Sequence, residues 1–215
     1  MSHPLADVIE NAASGRFPAV DGGWHRVDPW KPGVEAVVAF TGHAVFAVRA
    51  DTTDESLADL GADGFGGAHD PRLLAELAGP DGWIDSLDVL LVHRGLGSAT
   101  TTSALVPRPD LAAHSRVEFA ASNRDDVRVF GFEDPRRSAV AVLARGVAGL
   151  TEISFELDPD HRGGAGTALV QDGLRLIPEG ELVIAAAAPG NAASLRALLA
   201  AGFVPVGSLQ LFRRG

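Results

Sequence analysis

The stretch Leu150–Phe203 constrains this 215-residue chain more than any other. Ile153, Phe155 and Leu157 alternate with Glu152, Ser154 and Glu156, the period-2 pattern of a strand with two unlike faces. Asp158, Pro159 and Asp160 stop that strand, and His161-Arg162-Gly163-Gly164-Ala165-Gly166 turns into a helix running through Ala168, Leu169 and Leu174. A glycine-rich turn that opens a helix leaves several backbone N–H groups unpaired and pointing the same way. Small residues let an anion approach them, and the helix dipole adds a favourable field. The implied ligand is a phosphate or pyrophosphate. The turn lacks the Lys-Ser/Thr ending of a P-loop and the full G-x-G-x-x-G spacing of a dinucleotide-binding turn.

A second motif follows. The apolar run Leu182–Ala188 reads as a buried strand ending at Pro189-Gly190, and Asn191 then opens a helix. Leu195, Leu198 and Leu199 share one face of that helix, and Gly202 is placed to end it at C′, before Phe203.

Together these motifs resemble the GCN5-related N-acetyltransferase (GNAT) superfamily. In that superfamily a strand leads into a Gln/Arg-x-x-Gly-x-Gly/Ala turn that binds the pyrophosphate of acetyl-coenzyme A. A later strand leads into a helix that begins near an Asn and ends in Gly-Phe. Here His161 holds the Gln/Arg position, with Arg162 beside it, one residue short of the fuller Arg-Gly-x-Gly-x-Gly form. Asn191, Ser194, Gly202 and Phe203 match the second motif. The resemblance covers roughly Asp126–Arg213 and brings no acceptor substrate with it. The general look of the chain also resembles actinobacterial acetyltransferase-like proteins of unknown function.

The resemblance implies an α/β fold: a mixed sheet with helices on both faces, splayed at one point so that a pantetheine arm can pair with a strand. It also implies a transfer of an acetyl group from acetyl-CoA to a small-molecule or peptidyl amine by direct attack. His161, Arg162, Gly163, Gly164, Ala165, Gly166 and Thr167 would hold the pyrophosphate, and Leu157 would pair with pantetheine. Asn191 and Ser194 would close the other side of the cleft. Glu152 looks like the strand glutamate of the histone-acetyltransferase branch. Glu156 lies on the same face, nearer the turn, so both are candidate bases acting through water; a solvated or substrate-binding stripe is the competing reading. The tyrosine that often serves as leaving-group acid would fall at Leu198, and the chain contains no tyrosine. Ser194 and Ser208 are the remaining candidate acids. Two alternatives stay open at this level, a non-catalytic acyl-CoA-binding or regulatory module and a nucleotide-binding protein.

Composition narrows the setting. Hydrophobic residues make up 46% of the chain, ample for a core. No apolar run is long enough to span a membrane, and the acidic N-terminal stretch carries no basic leader signature. With no cysteine, disulfides, thiolate metal sites and cysteinyl intermediates are excluded. The remaining histidines show no ligand spacing, so no metal is expected. A cytoplasmic enzyme fits. A net charge of −10 disfavours nucleic acid as a partner and is compatible with a cationic amine. A homodimer is a candidate assembly.

For the rest of the chain the sequence predicts a division into residues 1–112, an extended N-terminal α/β half that is either a substrate-side wall or a small separate domain, and a GNAT core at 113–215. Val34–Phe40 and Ala44–Val48 read as a hairpin, Thr53–Leu60 and Pro71–Ala78 as short helices, and Leu87–His93 as a buried strand. Phe17–Pro32, with three prolines and a Gly-Gly pair, reads as irregular, stapled by Trp24 and Trp30. Arg94–Pro109 reads as a linker, and Val117–Ala121, Val127–Phe132 and Ser138–Ala144 read as strands.

Overall fold

A computed structural model describes residues 2–134, 136–137, 139–157 and 165–215. The chain forms two compact units, Met1–Leu90 with Pro205–Gly215, and Leu91–Val204.

The first unit begins with helix α1 (Pro4–Ala13), followed by strands β1 (Trp24–Val27), β2 (Glu35–Phe40) and β3 (His43–Ala47). Helices α2 (Asp54–Asp59) and α3 (Pro71–Ala78) and the short strand β4 (Trp83–Ile84) follow. Strand β5 (Asp88–Arg94) carries the chain into the second unit. There the order is β6 (Leu105–Pro107), α4 (Ser115–Asn123), β7 (Asp125–Phe132), β8 (Ala139–Arg145), β9 (Thr151–Leu157), α5 (Ala165–Arg175), β10 (Leu182–Ala187) and α6 (Ala192–Ala200). Strand β11 (Val204–Arg213) ends the chain. The architecture is mixed α/β, with parallel and antiparallel strand pairs.

In the first unit β1 pairs parallel with β3, which forms an antiparallel hairpin with β2. Strand β11 adds to β2 antiparallel, with Leu209 opposite Val38, and β4 adds to β11. The core beneath collects Phe46 and Phe212 with Leu57, Leu73, Leu74 and Leu77. Each large buried side chain contributes about 1.5–3 kcal/mol. Helix α3 is framed as its sequence predicts: Pro71 sits in its first turn and the Asp70 carboxylate accepts from Arg72 N–H. Trp24 lies edge-on to Phe46, 5.6 Å between centroids, and Trp30 edge-on to His3. Both therefore act as staples, but Trp24 does so from within a regular strand. The stretch read as irregular contains β1 because its Trp24–Val27 backbone finds β3, a pairing no local signal announces.

In the second unit β6, β7, β8 and β9 form an antiparallel run, and β10 joins β9 in parallel. Two sequence expectations are corrected here. Val117–Ala121 is not a strand but the middle of α4, with His114 as its N-cap. The alternation Val117-Glu118-Phe119 imitates a strand, yet the side chains that bury are Val117 and Ala120, three apart, packed on Val140 and Val142; Phe119 stays exposed. The Arg94–Pro109 segment is likewise not wholly a linker, since Leu105–Pro107 pairs with β7 at Phe132–Phe130.

Candidate functional site

Strand β9 is paired with β8 over its whole length, Ala139↔Leu157 to Arg145↔Thr151. Against β10 it pairs only at Val183↔Thr151 and Ile184↔Glu152. Beyond Glu152 the two parallel strands part, so that among the described residues the edge of Ile153–Leu157 away from β8 has no strand partner. The closed end of this wedge is pinned. Arg145 Nη1 donates to Thr151 Oγ1 at 2.7 Å and to Glu181 Oε1 at 3.1 Å, and the Thr151 hydroxyl donates to the same Glu181 carboxylate. One residue from β10, Glu181 thereby ties the starts of the two strands together.

At the open end lies a cleft of about 590 Å³, within the ordinary size range of small-molecule sites. Phe155, Glu156 and Leu157 line it from β9, Gly166 and Thr167 from the first turn of α5, and Asn191, Ser194 and Arg196 from α6 and its cap. Asn191 Oδ1 accepts from Ser194 N–H at 3.1 Å, which caps α6 and fixes its start at the cleft. Gly202, with φ 102°, follows the last cap residue of the same helix. A Cβ at Gly166 would lie 3.1 Å from Ala197 Cβ and 3.4 Å from Leu157 Cδ1. The absent side chain is what lets α5, α6 and β9 meet so closely.

The structure thus gathers Glu156, Leu157, Gly166, Thr167, Asn191 and Ser194, all singled out from sequence, around one cleft. Ala165 opens α5 beside them. His161, Arg162, Gly163 and Gly164 lie outside the described residues. Ser208 lies on β11, with its Oγ 2.8 Å from His69 Nε2. Leu198, at the position of the superfamily's tyrosine, is buried.

The two glutamates of β9 have different surroundings. Glu152 is almost wholly buried and does not line the cleft; its Oε1 lies 2.5 Å from Arg124 Nη2, and Arg124 Nη1 also donates to Ser154 Oγ at 3.0 Å. Its carboxylate packs so closely on Gly146 that a Cβ there would meet Oε2 at 1.8 Å. Glu156 lines the cleft with its side chain 45% exposed and accepts from Arg116 Nε at 3.0 Å. Both arginines come from α4 or the residue after it. The sequence reading missed Arg116, which stands just before the Val117–Ala121 stretch taken for a strand, and it missed Arg196 altogether. For Arg196 a signal existed: Ala193, Arg196, Ala197 and Ala200 fall at helical spacing on one face of α6, a face distinct from that of buried Leu198.

Among the described residues no group of three or more His, Asp or Glu is placed to hold a metal ion, and no helix is long and apolar enough to cross a membrane.

No family model matches the sequence, and no curated protein does. Among solved structures the chain is similar to a protein described as a GNAT-family acetyltransferase from Novosphingobium aromaticivorans, at 19% identity and a TM-score of 0.42, over 63% of this chain and 69% of that one. It is also similar to a GNAT-family acetyltransferase from Colwellia psychrerythraea, at 12% identity and a TM-score of 0.40, over 62% and 57%. A GCN5-related N-acetyltransferase from Kribbella flavida gives 16% identity and a TM-score of 0.39, over 67% and 63%.

Proposed function

We propose that this chain is an N-acyltransferase that takes an acetyl group from acetyl-CoA and passes it to an amine, with the β9/β10 cleft as its donor site. The observation that carries this reading is the parting of β9 and β10 after Ile184↔Glu152, which opens a bare strand edge directly beside two helix starts. A strand edge offers backbone N–H and C=O groups to an extended, amide-bearing ligand, and the pantetheine arm is such a ligand. Apolar lining from Phe155, Leu157, Ala193 and Ala197 suits its methylene stretches, and Thr167, Asn191 and Ser194 supply sparse polar contacts. The residues present therefore fit an acyl-CoA.

The donor brings a thioester whose carbonyl an amine can attack. The chain's own contributions are positional and electrostatic. Backbone N–H groups of the free β9 edge polarise the carbonyl. Glu156, the carboxylate that faces the cleft, takes the proton of the incoming amine directly or through water, and Arg116 fixes its orientation. Glu152 is held in its pair with Arg124 and serves the fold. With no tyrosine in the chain, Ser194 or solvent protonates the departing thiolate. The test is an acetyl-transfer assay with purified protein across a panel of amines. Acetylated product with wild type, and a large loss on Glu156→Gln, supports the reading; coenzyme A binding without transfer to any amine replaces it with a non-catalytic acyl-CoA-binding module.

A further inference from the structure

The first unit brings together two histidines that no local spacing announces. His25 of β1 and His43 of β3 stand 18 residues apart in the chain and meet through strand pairing. The parallel register sets His25 opposite Val45, two residues from His43, so both side chains leave the same face of the sheet. His25 Nδ1 lies 3.0 Å from His43 Nε2, with the ring centroids 5.2 Å apart. Behind them the Asp21 carboxylate accepts from His43 Nδ1 at 2.9 Å. A carboxylate fixes the tautomer of the imidazole it faces. His43 Nδ1 therefore carries the proton, and its Nε2 presents a bare lone pair towards His25. His25 is exposed, so its own ring proton can move to Nε2, on the solvent side, which bares Nδ1 as well.

The frame around the pair is held by the backbone. Asp21 Oδ1 also accepts from Gly23 N–H at 2.7 Å, Gly22 N–H donates to Gly42 C=O at 2.9 Å, and Ala44 N–H donates to Gly23 C=O at 3.2 Å. Gly22 and Gly42 have φ of 71° and 73°, and a Cβ at Gly42 would meet Val20 Cγ1 at 2.5 Å. Such a frame sets a ligand pair more precisely than a free loop does.

The spacing of the two nitrogens selects the cation. With metal–nitrogen bonds of about 2.0–2.1 Å, nitrogens 3.0 Å apart subtend roughly 95° at a shared ion, whereas a tetrahedral ion asks for about 3.3 Å. An angle near 90° suits the tetragonal sites of Cu(II) and Ni(II). A carboxylate behind one imidazole holds its plane and raises its basicity. We propose that His25 Nδ1 and His43 Nε2 chelate a divalent transition metal of the copper or nickel kind, with Asp21 orienting His43 and water filling the remaining positions. Two protein ligands make an open site, short of the three-ligand groups that the described residues lack. Sequence spacing points away from a metal because these ligands meet only through the pairing of β1 with β3. None of the three residues lines the donor cleft, so the site stands apart from the acyl-CoA reading.

The test is calorimetric titration of Cu(II) and of Ni(II) into the untagged full-length chain at pH 7.5, where imidazoles are mostly neutral. His25→Gln and Asp21→Ala are measured beside wild type, with electron paramagnetic resonance of the Cu(II) form as a second readout. The expected result is one ion per chain, with hyperfine splitting from two nitrogens. His25→Gln should abolish that binding, and Asp21→Ala should weaken it roughly tenfold to a hundredfold. Ni(II) should raise the melting temperature of wild type and leave that of His25→Gln unmoved. His25 and Asp21 are both exposed, so both variants keep the fold. Wild type without one-to-one binding overturns the proposal. So does binding that survives His25→Gln, which puts the ion on other histidines, and so does a spectrum with a single nitrogen ligand. Asp21→Ala binding within twofold of wild type overturns the role given to Asp21.

Discussion

Glu152 and Glu156 show how much a single residue's meaning depends on its surroundings. They share a face of β9, and the alternation of that strand made this legible from sequence. What separates them is their arginine: Arg124, just after α4, pairs with Glu152 away from solvent, while Arg116 of α4 pairs with Glu156 at the cleft. Breaking a buried pair strands a charge, so Glu152→Ala should lower unfolding free energy by about 3–5 kcal/mol in denaturant melts. Glu156→Gln should leave the melts nearly unchanged while cutting the acetyl-transfer rate by about 10²–10⁴. Histidines set a pH dependence. Burial holds His69 below its ordinary 6.5, opposed by the Gln210 side chain, and holds His25 below it too, with the His43 charge adding in the same direction. The unfolded chain then takes up protons near pH 6.5 that the fold resists, so stability falls as pH drops from above 6.5 towards the folded-state values. Melting temperatures at pH 7.5 and 5.5 should show that decline, and His69→Gln should flatten it.

At the scale of elements, the wedge between β9 and β10 is held shut at one end by polar contacts and propped open at the other by close packing. Thr151 is buried, and Thr151→Val removes the hydroxyl shared by Arg145 and Glu181; equilibrium unfolding should register a loss of about 1–3 kcal/mol. Gly166→Val should cost a further 1–3 kcal/mol or so, because its new methyl groups meet Ala197 Cβ, a backbone-anchored atom that moves only with α6. These elements were legible because their signals are local: alternation in β9, an Asn cap and a Gly stop for α6, a proline start for α3. The elements that sequence reading lost are those made by partners. Strands β1 and β6 are short and exist through their pairing with β3 and β7, and α4 carries only two buried apolar positions, Val117 and Ala120, to give away its period. Helix α1 did carry a readable stripe, Leu5, Ile9 and Ala12, and went unread.

Across the whole chain, the C-terminal stretch Pro205–Gly215 belongs with Met1–Leu90, because β11 pairs with β2 from Phe212↔Glu35 to Ser208↔Ala39. A contact between residues so far apart in sequence leaves no local trace, which is why a division drawn along the sequence does not anticipate it. The candidate donor site, by contrast, is built within the second unit from two strands and the helices that follow them, β9 with α5 and β10 with α6, close together in the chain, and its outline was correspondingly readable. Calorimetric titration of acetyl-CoA into the purified full-length protein, with coenzyme A and ATP as comparators, tests that site most directly. Micromolar binding of acetyl-CoA and coenzyme A with none of ATP is the predicted result. No binding of either coenzyme A species, or ATP binding as tightly, would contradict the assignment of the β9/β10 cleft to an acyl-CoA donor.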